Sequence, residues 1–378
     1  MTVEALTHQA ELPKERQARE TQAALMWRRF RQHRLAVWSL WIVGFFYFVA
    51  LFAEFLAPFD PSAYNPRYTY AAPQGLHFFT TNEEGNWQFQ PFVYGYKTEI
   101  DQEAMRRTFV IDREKKHPVG FFIETEPYRL LGVIPMTVKL FGPTEPRAPL
   151  YILGADRLGR DLLSRLIHGT RISLSIGLVG VVMSLVFGVI IGGFSGYYGG
   201  WFDSIVQRAI EFVRSLPTIP LWLGLAAAMP RDWSALQTYF AITIILSLIG
   251  WTELARVVRG RFLALRTEDF VTAARLDGAS DWRIVTRHMV PNFTSHIIAA
   301  ATLAIPGMIL AETALSFLGL GLQAPIVSWG TLLQDAQNIR ALASAPWLLL
   351  PGVAVVIVIL ALNFLGDGLR DAADPHGR

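Results

Sequence analysis

Glu312 is a carboxylate inside an apolar run, Phe293 to Phe317. An acid in a membrane-crossing segment is costly unless it faces a cavity or a partner, so Glu312 is expected either to line a polar route or to be hydrogen-bonded at a helix contact. Arg208, Glu211 and Arg214 sit in the first half of another apolar run, with Glu211 within helical reach of either arginine. Asp156 and Arg160 are four apart, as are Asp161 and Arg165. Such acid-before-base pairs would support a surface helix leading into the membrane. None of these sets is a catalytic constellation. The run GGFSGYYGG has no Gly-Lys-Ser/Thr after it, and no Walker A sequence occurs anywhere in the chain. The eight histidines include no His-Glu-x-x-His, and there is no cysteine, so zinc chemistry and thiol chemistry lack their residues. No Gly-x-Ser-x-Gly elbow is found before residue 150.

A second kind of signal is the polar stretch Thr267 to Asn292, wedged between two apolar runs. It parses as helix, turn and helix. Thr267 is placed to cap the first helix, Gly278-Ala279-Ser280 supplies a stop and a new cap, and Pro291 is expected to close the second. Ala273 and Ala274 have almost no side chain while Phe270 and Leu276 project, which suits a surface that another protein approaches closely.

The elements that position these residues follow from composition. With 378 residues, 52% hydrophobic and 17% charged, the chain is more apolar than a soluble protein, which carries about 25% charged residues. Runs of roughly 20 apolar residues are enough to cross a bilayer. The net charge of +3 is small, and the basic residues cluster beside apolar runs. That pattern orients a membrane protein and does not fit nucleic-acid binding. The expected architecture is an all-α polytopic membrane protein with six transmembrane helices and both termini cytoplasmic. Residues 1–34 read as a cytoplasmic tail with a basic end, 35–57 as the first span and 58–150 as a periplasmic insert. Residues 151–378 read as a five-helix core with a cytoplasmic loop over 259–292. The insert is Pro-rich and aromatic, expected to be small and mixed α/β or irregular, with a few short strands. The later spans are placed at about 172–194, 202–229, 236–258, 293–317 and 347–365, with Gly196 to Gly200 as a turn. Arg256, Arg259, Arg261 and Arg266 return the chain to the cytoplasm.

The spacing Thr272-Ala273-Ala274, three residues, Gly278, nine residues, His288-Met289-Val290-Pro291 resembles the EAA loop of binding-protein-dependent ABC-transporter permeases. That family has Glu where Thr272 stands, Ile where His288 stands and Leu where Val290 stands. Leu153-Gly154-Ala155-Asp156-Arg157-Leu158-Gly159-Arg160-Asp161, continuing to Leu174, is similar to the segment before the second span of dipeptide, oligopeptide and nickel permeases. Glu312 to Gly321 and Ser328-Trp329-Gly330 resemble that group's fifth span and following loop. The insert resembles that of a subset with an enlarged outer domain.

The resemblance implies a permease subunit of an ATP-driven importer that forms half of the translocation pathway, with peptides as the expected solute and oligosaccharides or nickel as the alternatives. It implies a second permease subunit, two ATP-binding subunits that hold ATP and Mg, a periplasmic solute-binding protein and a bacterial cytoplasmic membrane. No cofactor or metal is expected in this chain. Glu268, Asp269, Phe270, Thr272 and Ala273, with Ala274, Leu276, Asp277, Gly278, Ala279 and Ser280, would receive the motion of the ATPase. Pro291, Pro306 and Glu312 would belong to the pathway or gate, and Asp156, Gly159, Arg160, Asp161 and Arg165 to an outer-side motif. A secondary transporter is the rival class, but it would need midplane ion sites and leaves the docking loop without a role. A membrane-anchored enzyme would need a catalytic set in the insert, where none is readable.

Overall fold

The computed structural model describes residues 22–81, 87–101, 106–145, 148–230 and 232–373. Of the expected N-terminal tail, residues 1–21 lie outside that description. Helix α1, Gln22–Gln32, is amphipathic and buries Phe30 beside Gly368 near the end of the chain. Helix α2 follows, Arg34–Leu51, a nearly uniform apolar segment. His33 at the junction lies 3.2 Å from the Asp371 carboxylate.

The insert is more regular than expected. Its four strands, β1 His77–Thr81, β2 Trp87–Asp101, β3 Arg106–Leu130 and β4 Ile134–Pro143, form an antiparallel meander in chain order. At 25 residues, β3 serves two partners: its first half pairs with β2 (Tyr96 opposite Ile111) and its second half with β4 (Ile123 opposite Lys139). The sequence suggested short pieces because β3 carries Asp112 to His117 in its middle, which interrupts the alternation of apolar and polar residues. Val93, Val119 and Leu150 form one small core, and Tyr68, Tyr96, Phe109 and Tyr151 cluster around another. Lys139 fastens the sheet to the end of the first helical segment, donating from Nζ to the Ala57 and Pro58 carbonyls at 2.9 and 3.3 Å. Burial pushes its ammonium below the usual lysine range, against the attraction of Asp60, Glu54 and Asp161.

Helix α3, Leu162–Tyr198, is 37 residues long. At about 1.5 Å per residue it is longer than a bilayer's hydrocarbon core of about 30 Å. It runs through the expected turn at Tyr197 and Tyr198 and breaks only at Gly199 and Gly200, whose φ values of +65° and +57° suit glycine. Gly188, Gly192 and Gly196, four apart, face helix α6, Ala235–Leu265. A Cβ at Gly188 would sit 2.7 Å from the Leu254 Cβ, and one at Gly196 2.7 Å from the Arg259 carbonyl oxygen. Small residues at this spacing let the two helix backbones approach closely.

The expected single span over 202–229 is two helices: α4, Gly200–Ser215, and α5, Thr218–Ala227, separated at Leu216-Pro217. Proline lacks an amide donor and clashes with the preceding turn, so the helix cannot continue through it. After α6 come the short helix α7, Asp269–Leu276, then helix α8, Thr294–Phe317, and helix α9, Leu350–Ala373. Among the described residues, five helices are long and apolar enough to cross a membrane: α2, α3, α6, the stretch His296–Phe317 of α8, and Pro346–Ala372. The buried apolar residues of α3, α8 and α9 form one core with α2, including Ile176, Ile309, Val358 and Ala36.

Candidate coupling and translocation surfaces

Helix α7 begins at Glu268, whose backbone is extended and whose side chain makes no capping bond. Thr267 is not the cap; its hydroxyl donates back to the Ala264 carbonyl at 3.2 Å, prolonging the end of α6. The other end is a complete Schellman turn. The Ala279 N–H donates to the Ala274 carbonyl and the Gly278 N–H to the Arg275 carbonyl, both at 3.1 Å, with Gly278 at φ +75°. The two adjacent alanines part company here. Ala274 is buried with Val271 against Phe262, Ile284 and Val285, whereas Ala273 faces outward with Thr272 and Asp277. Leu276 is 84% exposed and Phe270 also reaches solvent.

The second helix of this segment starts where expected, with Ser280 accepting from the Arg283 N–H. Pro291 does not close it. The chain stays helical as a wide turn over Ile284–Met289 and a tight turn over Val290–Phe293, and then enters α8. Proline's missing N–H and ring are accommodated by that local change of pitch, a known alternative to breaking a helix. The segment is also fastened to α3. Tyr197 and Tyr198 donate to the two oxygens of Asp281, each at 2.8 Å, and Trp282 stacks on Phe194 with ring centres 5.8 Å apart. Arg259 near the end of α6 grips Asp203 of α4 through two bonds of 2.5 Å.

At the opposite end of α3 the residues expected on the outer side do not form the expected surface helix. Gly159 takes a left-handed turn (φ +71°) where a Cβ would collide with the Asn65 backbone, and the helix starts only at Leu162. Asp161 is its cap, accepting from the Ser164 N–H at 2.7 Å and hydroxyl at 2.6 Å on one oxygen, and Arg165 pairs elsewhere. Arg165 and Arg160 both turn to the fully buried Asp156, Arg160 Nε at 2.6 Å. Asp156 also accepts from the Leu158 and Arg160 amides at 2.8 and 3.0 Å. Asp335, on the loop before α9, closes the cluster at 3.1 Å from Arg157 and 3.7 Å from Arg165. Burial pushes the Asp161 carboxyl up to about 6, against the pull of its Ser164 bonds. Burial also raises Asp335, with Arg165 opposing and Asp156 adding.

Glu312 lies fully buried near the C-terminal end of α8. Three serine hydroxyls donate to its carboxylate: Ser328 at 2.7 Å, Ser316 at 2.8 Å and Ser173 of α3 at 3.2 Å. Each serine in turn accepts a backbone N–H, from Thr331, Leu322 and Trp329 at 3.2, 2.9 and 3.0 Å. Of the two roles open to it in the sequence, its surroundings are those of a hydrogen-bonded helix contact. Pro306 sits inside α8, about 1.7 turns before it in the chain.

Glu253, an acid to which the sequence assigned no role, does face open space. It lies inside α6, its side chain 72% exposed, 2.6 Å from Arg214 at the end of α4. Arg214 therefore does not pair with Glu211, which instead meets Arg208 at 3.6 Å with both exposed. Two cavities of about 360 and 560 Å³ share Gly250, Glu253 and Ala304 along the seam between α6 and α8. The signal the sequence did offer is a carboxylate inside the apolar run 236–258.

Comparison with known proteins gives these surfaces a context. Residues 185–378 match the family of binding-protein-dependent transport system inner membrane components, and residues 21–73 match the N-terminal TM domain of oligopeptide transport permease C. The dipeptide transport system permease protein DppC of Bacillus subtilis is 40% identical over 311 residues, 80% of this chain and 93% of that protein. DppC of Alkalihalophilus pseudofirmus is 38% identical over 239 residues, 63% of this chain and 74% of that one. The oligopeptide transport system permease protein OppC of Bacillus subtilis is 37% identical over 243 residues, covering 64% and 77%. With a family match over half its length and relatives aligned over most of theirs, the chain belongs to the binding-protein-dependent transport system inner membrane components, the permease subunits of ABC importers.

Proposed function

We propose that the chain is one half of the translocation pathway of an ATP-driven peptide importer in a bacterial cytoplasmic membrane. In this reading the membrane is crossed six times, by α2, α3, the broken pair α4 and α5, α6, α8 and α9. Both termini lie in the cytoplasm and the β-sheet insert lies outside. A second permease subunit completes the pathway, two ATP-binding subunits carry ATP and Mg below it, and a periplasmic solute-binding protein delivers solute above. The names of the similar proteins, dipeptide and oligopeptide permeases, support peptide as the solute.

One observation carries the coupling role: α7 is a short helix with one face buried and the other bare, followed after the Gly278 turn by a second helix that runs without a break in helicity into α8 and is tied to the end of α3. An ATP-binding subunit that moves the bare face, Ala273, Leu276 and Asp277, displaces Asp281 and the helical run behind it. That run reaches α8 through Pro291, and the tyrosine bonds reach α3, so both helices on either side of Glu312 respond together. Nucleotide must bind one of the two arrangements more tightly for the motion to be driven.

Gly278→Trp tests this reading. A Cβ at Gly278 meets no atom within 4 Å, so the variant folds with only a left-handed backbone cost of about 1–2 kcal/mol. The bulky ring projects beside the docking face. In the assembled complex the expected outcome is normal membrane insertion with loss of solute-stimulated ATP hydrolysis. Normal stimulated hydrolysis would sink the coupling assignment.

A further inference from the structure

Arg214 and Glu253 are ill suited to either of the ordinary settings of a charge in a membrane protein. They are not buried in a satisfied network, since the Glu253 side chain is 72% and that of Arg214 38% exposed. Nor can lipid cover them without a cost of several kcal/mol. On α6, Gly250, Glu253, Val257 and Arg261 recur at helical spacing along one wall; on α8, Ala300, Ala304 and Gly307 supply small residues opposite. The seam between these walls holds both cavities; Glu253 stands where they meet, and Arg214 lines the smaller one. Trp222 of α5 also lines the smaller one, and its indole N–H has no acceptor among the described residues.

The geometry points to Arg214 and Glu253 as a charged ledge on the wall of the solute route, which receives the carboxylate and the ammonium group of a zwitterionic solute in turn. This rests on the reading of the chain as a peptide permease. At rest the two side chains neutralise each other at 2.6 Å. A passing zwitterion exchanges that pair for two new ones, Arg214 with its carboxylate and Glu253 with its ammonium. Because one ion pair is given up as two form, the solute is recognised without being held deeply. The exposed pair itself adds little to stability, under about 1 kcal/mol, so its separation is not a barrier.

The chain has no cysteine, so a single thiol placed in the seam reports directly on it. Gly307→Cys is suitable, because a Cβ there meets no atom within 4 Å. In the full complex, with cysteines of the other subunits replaced, the thiol is probed with cationic aminoethyl and anionic sulfonatoethyl methanethiosulfonate. Rates are normalised to a free thiol. The expected result is reaction in at least one nucleotide state, with the ratio of cationic to anionic rates falling about fivefold in Glu253→Gln and rising about as much in Arg214→Gln. Uptake of dialanine, delivered by the binding protein into proteoliposomes, is expected to fall about tenfold or more in either variant, the loss of one charge-assisted contact. A thiol that never reacts, a charge preference that neither variant moves, or undiminished uptake would overturn the ledge. A wild-type complex that imports no dialanine overturns the peptide reading instead, and the labelling pattern then decides the ledge alone.

Discussion

Two glutamates inside membrane helices have opposite surroundings. Glu312 is sealed from solvent and accepts three hydroxyl hydrogen bonds; Glu253 is mostly open and has one arginine. The first joins α3, α8 and the loop before Trp329 into one rigid block, because every serine around it passes the constraint on to a backbone amide. The second joins two helices loosely and leaves its charge facing a cavity. An intramembrane acid is therefore not by itself a mark of the solute route. What separates a lock from a ledge is whether the polar groups around it are already satisfied by the protein.

The sharpest way to break this contrast is Glu312→Leu. Three hydroxyls lose their acceptor in a dry site, each worth about 1–3 kcal/mol, so the assembled complex is expected to lose its cooperative melting transition or fail to accumulate. The same change at Glu253 should leave melting intact; equal destabilisation would erase the distinction. Ser328→Ala is the next step down. It removes one donor to Glu312 and the cap of the helix Trp329–Gln334, and a loss of about 1–3 kcal/mol by thermal melting is expected.

Asp161 gives a pH-dependent comparison at the N-terminal end of α3. Its carboxyl is held at about 6 by burial, above an unfolded value of about 4, so the folded chain binds this proton more tightly. Its unfavourable contribution thus grows as pH rises from about 4 to 6 and is complete above that, up to about 2–3 kcal/mol. Asparagine keeps the capping oxygen without the charge. The melting temperature of Asp161→Asn relative to wild type should climb between pH 4 and 6 and then level off; a flat difference would show that Asp161 titrates normally. The smallest effect is expected for Glu253→Gln: melting unchanged to within about 1 kcal/mol, as for exposed pairs in general.

Much of this was legible in the sequence, for identifiable reasons. The long apolar runs announced α2, α3, α6, α8 and α9 because length and composition alone decide such elements. Gly278 announced the stop of α7 because a left-handed residue is needed there. The partners of Glu312 were not legible, since Ser173 lies 139 residues away and only the packing of α3 on α8 brings it near. Four-residue spacing misled at Asp161 and Arg165, because Gly159 delays the helix and the aspartate is used as its cap. Pro291 misled in the other direction, since a wide turn before it absorbs the defect that was expected to end the helix.

The unbroken length of α3 has a mechanical consequence. Its 37 residues make a rod of about 55 Å, with the Asp156 cluster beside one tip and the tyrosine clamp on Asp281 at the other. Rocking such a rod by about 5° around its middle swings the tips about 2–3 Å in opposite directions. In the proposed complex the delivering protein and the ATPase would thus push on two arms of one seesaw. Whatever factor one imposes on the other's affinity must then be returned in equal measure.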